Sequence, residues 1–241
     1  MPLFRGGRPL PAARRDVLTA FRYSVPVLLG YTAIGIAFGL LVSGSGYPWW
    51  LAAAMSLWMY AGAGQFIAAG LFAAGTTLWE ACLVQLIVNA RHIAYGLSML
   101  TRFGGCGARK PYLIFSLTDE TFALLSSLPD GGGERRRVMF YIALLDHCYW
   151  VAGTIIGAAA GALIPFDMNG ISFALTALFV VLMIEQIKRI QKPGVFVVSG
   201  AAALLGVFLL PGRIALVTAL IAALIAALIL SPAAERKGRN E

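Results

Sequence analysis

Long apolar blocks separated by short polar interruptions run the length of this chain. Eight can be drawn, over about residues 23–43, 49–73, 79–100, 113–128, 138–163, 171–187, 194–210 and 213–230. Most approach the roughly 20 residues that an α-helix needs to cross a bilayer. They are far longer than the roughly ten-residue alternating strands of an outer-membrane barrel. The pattern predicts an all-α polytopic integral membrane protein with seven to eight apolar segments. Proline punctuates it as in helices. Pro48, Pro111 and Pro193 stand at or just before block starts, and Pro129, Pro165 and Pro211 at block ends. Pro26 lies near the start of the first block, where a first-turn proline is tolerated. Residues 1–22 then form a basic N-terminal segment, 23–230 a single transmembrane domain, and 231–241 a basic tail.

Two blocks are irregular. Block 49–73 is interrupted by Ala61-Gly62-Ala63-Gly64-Gln65, and block 113–128 has only about 16 residues. Both are candidates for broken or re-entrant helices, because non-helical backbone at membrane depth is tolerated where it lines a cavity. The basic residues bear on this. Both tails are basic and the block count is even, which places both termini in the cytoplasm under the positive-inside rule. The loops 44–48 and 164–170 lack Lys and Arg and suit the outside, whereas Lys188, Arg189 and Lys192 suit the inside. Arg102, Arg109 and Lys110 fall outside if the first three blocks all span fully. They return inside if blocks 49–73 and 113–128 are both re-entrant.

Composition agrees with the pattern. The chain is 59% hydrophobic and 12% charged, with mean hydropathy +0.80, against about 25% charged in a soluble domain. The net charge of +8 is carried by tails and loops, so it marks membrane orientation and not nucleic-acid binding. The run from 23 to 43 is long enough to span, so the N-terminus reads as a first helix and not as a cleavable signal. Cys82, Cys106 and Cys148 lack the spacing of a zinc site or disulfide framework and read as small hydrophobes.

The informative residues are polar ones inside apolar blocks. Gln85, Asn89, His92 and Gly96 recur at i, i+4, i+7 and i+11, on one helix face. Arg91 points about 100° away, beside Tyr95 and Ser98. A charged side chain at mid-bilayer costs from about 3 to more than 10 kcal/mol and usually faces a cavity, a partner charge or a substrate. The face reads as a lined path; interhelical glue is the plainer alternative. Asp119 and Glu120 are adjacent carboxylates in block 113–128, where one can pair with Arg91. The alternative is a wet, interfacial segment. Asp146-His147 lies a third of the way along block 138–163, with Asp146, Trp150, Gly153 and Gly157 on one face. It suits a proton carrier or a buried structural pair. Gly35/Gly39 and Gly153/Gly157/Gly161 recur every four residues and predict close helix packing, within the chain or in a higher oligomer. No nucleophilic triad, phosphate loop or metal-ligand cluster is legible, so neither an enzyme nor a cofactor is expected.

The polar motifs in order resemble the AzlC family of large subunits of branched-chain amino-acid exporters. The resemblance rests on Gly30-Tyr31 with Gly35-Ile36-Ala37-Phe38-Gly39-Leu40, on Ala61-Gly62-Ala63-Gly64-Gln65-Phe66, on Val88–Gly96 and on Thr118-Asp119-Glu120-Thr121-Phe122-Ala123. Trp150-Val151-Ala152-Gly153-Thr154 and Ala174–Phe179 through Glu185-Gln186 extend it, so that it covers about residues 15–230. Ala63-Gly64-Gln65 departs from relatives that carry a serine before the glutamine. The resemblance implies a bacterial plasma-membrane exporter of leucine, isoleucine, valine and often methionine, driven by the proton gradient. It also implies a small AzlD-type membrane partner. The physical reading of the residues adds candidate roles. A zwitterion needs a cation or helix N-terminus for its carboxylate and acceptors for its ammonium. Gly62, Gly64, Gln65, Phe66, Asn89, Arg91, His92 and Tyr95 are the candidate substrate residues, and Asp119, Glu120, Asp146 and His147 the candidate proton-coupling residues. An uncoupled channel or facilitator and a non-transporting membrane scaffold remain the alternatives.

Overall fold

A computed structural model describes residues 12–129, 131–163 and 193–209, with 180, 184 and 187 placed singly. Among the described residues every regular element is helical. These are α1 (Ala12–Gly44), α2 (Trp49–Trp58), α3 (Ala63–Ala73), α4 (Leu78–Met99), a 3-10 turn (Gly107–Arg109), α5 (Lys110–Phe115), α6 (Asp119–Ser127), α7 (Gly132–Leu163) and α8 (Pro193–Leu209). The stretches of α1 from Ala13 and of α7 from Gly132 are each 32 residues, long and apolar enough to cross a membrane. Block 213–230, most of block 171–187, Ala174–Phe179, Glu185, Gln186, Lys188, Arg189, Lys192 and the C-terminal tail lie outside the described residues.

Several boundaries differ from the sequence pattern for local reasons. α1 starts at Ala12, well before residue 23, and α7 at Gly132, before 138. Their extra turns are polar and held by ion pairs, Arg137 to Asp16 and Arg15 to Glu134, so the apolar pattern alone misses them. Pro26 consequently lies inside α1. α4 begins where Thr77 and Glu80 form a capping box, the Glu80 carboxylate accepting from the Thr77 amide at 3.1 Å. Block 49–73 divides into α2 and α3 at a turn with left-handed backbone, Tyr60 at φ 40° and Gly62 at φ 50°. Block 113–128 divides into α5 and α6, because Thr118 caps α6 by accepting from the Thr121 amide.

Contacts divide the chain into two compact units. The first holds the residues up to Gln65 and those from Arg91 to the end of α7. Its axis is the pairing of α1 with α7, which run parallel. Asp16 meets Arg137, Ser24 bonds Tyr149 at 3.1 Å, and Ser43 packs on Gly161. At the crossing, a Cβ on Gly35 would lie 2.9 Å from the Trp150 carbonyl and one on Gly153 2.7 Å from that of Thr32. Gly39 and Gly157 sit still closer to the opposite backbone. The glycine stripes therefore serve this intramolecular crossing.

The start of α1, the loop after α4 and the start of α7 gather at one end, here termed the basic end. Arg102, Arg135 and Arg136 line one open cavity there with Thr101, Gly104 and Gly132. α5 and α6 form a hairpin that leaves and returns to this end. Tyr112 and Phe115 follow α7 from Phe140 to His147, with ring centroids 5.7 and 5.8 Å apart. α6 returns through Thr121 on Asp146 to Leu125 and Leu128, which pack with Val138, Met139 and Ile142 of α7. α2 approaches the same level of α7 from the opposite direction: Ser56 bonds Thr154 at 2.8 Å and the Tyr60 ring lies 4.3 Å from that of His147.

The second unit holds Phe66–Ala90 and the described residues beyond 166. Phe66, Ala68, Ala69 and Leu71 of α3 and Val84 of α4 are buried.

Candidate functional site

Two helix interruptions of the first unit converge beside the middle of α7. One is the turn between α2 and α3. Gln65, fully buried, holds it shut: its Oε1 accepts from the Ala61 amide at 3.3 Å and its Nε2 donates to the Ser56 hydroxyl at 3.1 Å. The amides of Gly64 and Gln65 donate to the carbonyls of Ala61 and Gly62, both at 2.9 Å. Ser56 also ties the turn to α7, through Thr154 and through its carbonyl, which accepts from His147 Nε2 at 3.2 Å. A carbonyl has no proton to give, so the hydrogen sits on Nε2. Nδ1 of the same ring faces the Tyr112 hydroxyl at 3.0 Å. His147 thus bridges α7, α2 and α5.

The other interruption is the α5–α6 tip, Ser116 to Thr118, both residues buried. Asp119 opens α6, where a carboxylate is favoured by the helix dipole. Arg91 of α4 donates to one oxygen of Asp119, and the Tyr95 hydroxyl donates to the other at 2.6 Å. Tyr95 stacks on Phe122 with centroids 4.6 Å apart, and His92 packs edge-on against Tyr95. Both Asp119 oxygens are therefore occupied. Glu120, one residue on, is exposed and accepts from the Tyr31 hydroxyl at 2.8 Å. Asp146 is fully buried and accepts from Thr121 at 2.9 Å.

The structure thus brings together Arg91, Tyr95 and Asp119 as one cluster, and Asp146, His147 and the tip residues as another. The two adjacent acids of α6 divide: Asp119 is buried in an ion pair and Glu120 reaches outward. Gly62 supplies a positive-φ position and Gln65 the clasp of the turn. Phe66 is buried at the start of α3, and Asn89 donates to Gln85 within α4 at 2.9 Å, both in the second unit. Sequence reasoning assigned no site role to Tyr31, Ser56, Tyr60, Tyr112, Thr118 and Thr121. Only Thr118 carries a local signal, a threonine directly ahead of two acids, which is a helix start.

A helical chain with two helices long and apolar enough to cross a membrane, and with an ion pair between two further helices, has the build of an integral membrane protein. It belongs to the AzlC family: the family's sequence model, described as AzlC protein, matches residues 26–164. The chain is 42% identical over 209 residues to an uncharacterized membrane protein of Helicobacter pylori, covering 83% of this chain and 92% of that one. It is 37% identical over 176 residues to the branched-chain amino acid transport protein AzlC of Bacillus subtilis, covering 72% and 69%. It is 31% identical over 177 residues to the inner membrane protein YgaZ of Escherichia coli, covering 70% and 72%. No solved structure matches the chain.

Proposed function

We propose that this protein is the large subunit of a proton-coupled exporter of branched-chain amino acids, leucine, isoleucine, valine and methionine among its substrates. It works with a small AzlD-type membrane subunit in the bacterial plasma membrane. The observation that carries the reading is the meeting of two unwound helix tips at mid-α7, around an ion pair and a buried acid. It occurs in a chain whose Bacillus subtilis relative is named for branched-chain amino acid transport. Ionisable residues kept inside membrane segments are costly and mark functional sites by default, and interrupted helices are where transporters of zwitterions place their sites.

Within this reading, Gly62, Gly64 and Gln65 shape one side of the substrate path. Arg91, His92 and Tyr95 line its α4 side. Asp119 holds Arg91 until a substrate carboxylate competes for the guanidinium. Asp119, Glu120, Asp146 and His147 form the proton-coupling set. The gathering of Arg102, Arg135 and Arg136 with the start of α1 supports a cytoplasmic N-terminus, with α5–α6 re-entering from the cytoplasm.

The test is labelled leucine movement in inside-out vesicles that hold this chain and its small partner. Accumulation that follows an imposed proton gradient is expected. Equilibration that ignores the gradient would replace this reading with an uncoupled facilitator. Tight vesicles holding folded protein and moving no leucine would refute the substrate.

A further inference from the structure

A continuous row of oxygens joins the exposed acid of α6 to the buried acid of α7. Glu120 Oε2 meets the Tyr31 hydroxyl at 2.8 Å. Tyr31 meets the Thr118 hydroxyl. Thr118 meets the Thr121 hydroxyl at 3.1 Å, and Thr121 meets Asp146 Oδ2 at 2.9 Å. Tyr31, Thr118, Thr121 and Asp146 are all buried, the last two completely.

The row has a shortage that simple counting exposes. Each hydroxyl owns one hydrogen, and an ionised carboxylate owns none. With both acids ionised, three hydrogens serve four links. Tyr31 gives its hydrogen to Glu120, Thr121 gives its own to Asp146, and Thr118 gives its own to Thr121. The Tyr31–Thr118 contact is then left without one. A single added proton on either acid completes all four links, with every group donating in one direction along the row.

We propose that these five groups form a proton wire that stores one proton and passes it between Glu120 and Asp146, with Tyr31, Thr118 and Thr121 as obligatory relays. The inference rests on the proton-coupled reading above. In the forward step the Glu120 O–H bond breaks as its proton joins Tyr31. Tyr31 releases its own to Thr118, Thr118 to Thr121, and Thr121 to Asp146. Four O–H bonds form as four break, and the net change is one proton moved inward. The reverse step restores the first state.

Among the described residues, the two ionisable neighbours in sequence, Asp119 and His147, are held outside this row. Asp119, beside Glu120, is occupied by Arg91 and Tyr95. His147, beside Asp146, is engaged by Ser56 and Tyr112. Tyr60 from the α2–α3 turn, Tyr112 from α5, and Cys148 and Tyr149 from α7 are the other titratable groups near Asp146. Among the described residues, Asp146 Oδ1 and the Trp150 indole N–H are buried without hydrogen-bond partners, and the Tyr60 hydroxyl faces Thr121. The wire therefore ends on a carboxyl with one oxygen uncommitted.

Thr121→Val removes one relay and keeps the shape. In the inside-out vesicles with the small partner, it is expected to lower gradient-driven leucine accumulation at least tenfold. Exchange of labelled for unlabelled leucine, which needs no net proton movement, is expected to persist, and Thr121→Ser to recover accumulation. Full accumulation by Thr121→Val, or equal loss of accumulation and exchange in folded protein, overturns the wire. The carboxylic-acid C=O stretch in the infrared reads the stored proton without transport. Wild type is expected to show it near neutral pH, changed by Asp146→Asn and by Glu120→Gln. Its absence overturns the wire whatever the transport result. Its presence alongside gradient-independent transport would refute the coupled function and leave the stored proton standing.

Discussion

Asp119 binds two donors from a neighbouring helix, and that arrangement sets what its partners can lose. Arg91→Gln leaves a carboxylate at the α6 tip with only Tyr95. Removing one member of a buried pair costs about 3–5 kcal/mol, and the low end applies because the Arg91 side chain is 33% exposed. The expected outcome is a clear fall in the melting temperature of purified protein and loss of leucine transport. Arg91→Gln with Asp119→Asn, which removes both charges, is expected to recover most of the stability and none of the transport. Arg91, Asp119 and Asp146 were legible because a charge in an apolar run stands out. The pairing of Arg91 with a carboxylate of block 113–128 was legible too, but the hydroxyl partners Tyr31, Thr118 and Thr121 were not, since Tyr, Ser and Thr are ordinary in membrane helices. The contacts also lie far off in the chain, as Tyr31 lies from Thr118 and Ser56 from Thr154.

At the scale of elements, the glycines of α1 separate into those that pack and those that do not. A Cβ on Gly39 would overlap the backbone of Thr154 and Ala158, whereas one on Gly30 meets nothing within 4 Å. Gly39→Ala is expected to abolish folded expression, read by size-exclusion profile in detergent, and Gly30→Ala to leave it unchanged. Gly62 is a different case, with open space around it but φ at 50°. A side chain there costs about 1–2 kcal/mol in left-handed backbone. Gly62→Ala is expected to lower the melting temperature modestly and slow transport. Four-residue glycine spacing was legible as close packing, but which helices meet was not. Spacing fixes a face and leaves its partner open. The break in block 49–73 showed itself through the Ala-Gly-Ala-Gly run. The one in block 113–128 was legible only as a short segment, because its cap is a single threonine.

For the molecule as a whole, the proposed orientation turns on the basic end. If Arg102, Arg135 and Arg136 face the cytoplasm, Gly46 at the far end of α1 faces outward. In a background with Cys82, Cys106 and Cys148 replaced, Ser45→Cys is expected to react with an impermeant maleimide in intact cells. Gly132→Cys is expected to react only in inverted vesicles. The reverse pattern would overturn the orientation. The conflict over Arg102, Arg109 and Lys110 was visible in the sequence; in the structure the α5–α6 hairpin returns to the end it left, so that Arg102 shares one cavity with Arg135 and Arg136.

The Arg91–Asp119 pair carries no net charge, and neither does a branched-chain amino acid at neutral pH. If the wire holds one mobile proton, that proton is the sole charge displaced per cycle, and the proposed proton-coupled export is electrogenic. Membrane voltage alone then suffices as a driving force. One elementary charge crossing 100 mV releases about 2.3 kcal/mol, enough for about a fifty-fold gradient of leucine at equal pH on both sides. On the proposed function, a bacterium that keeps its voltage while its pH gradient collapses would continue to expel leucine.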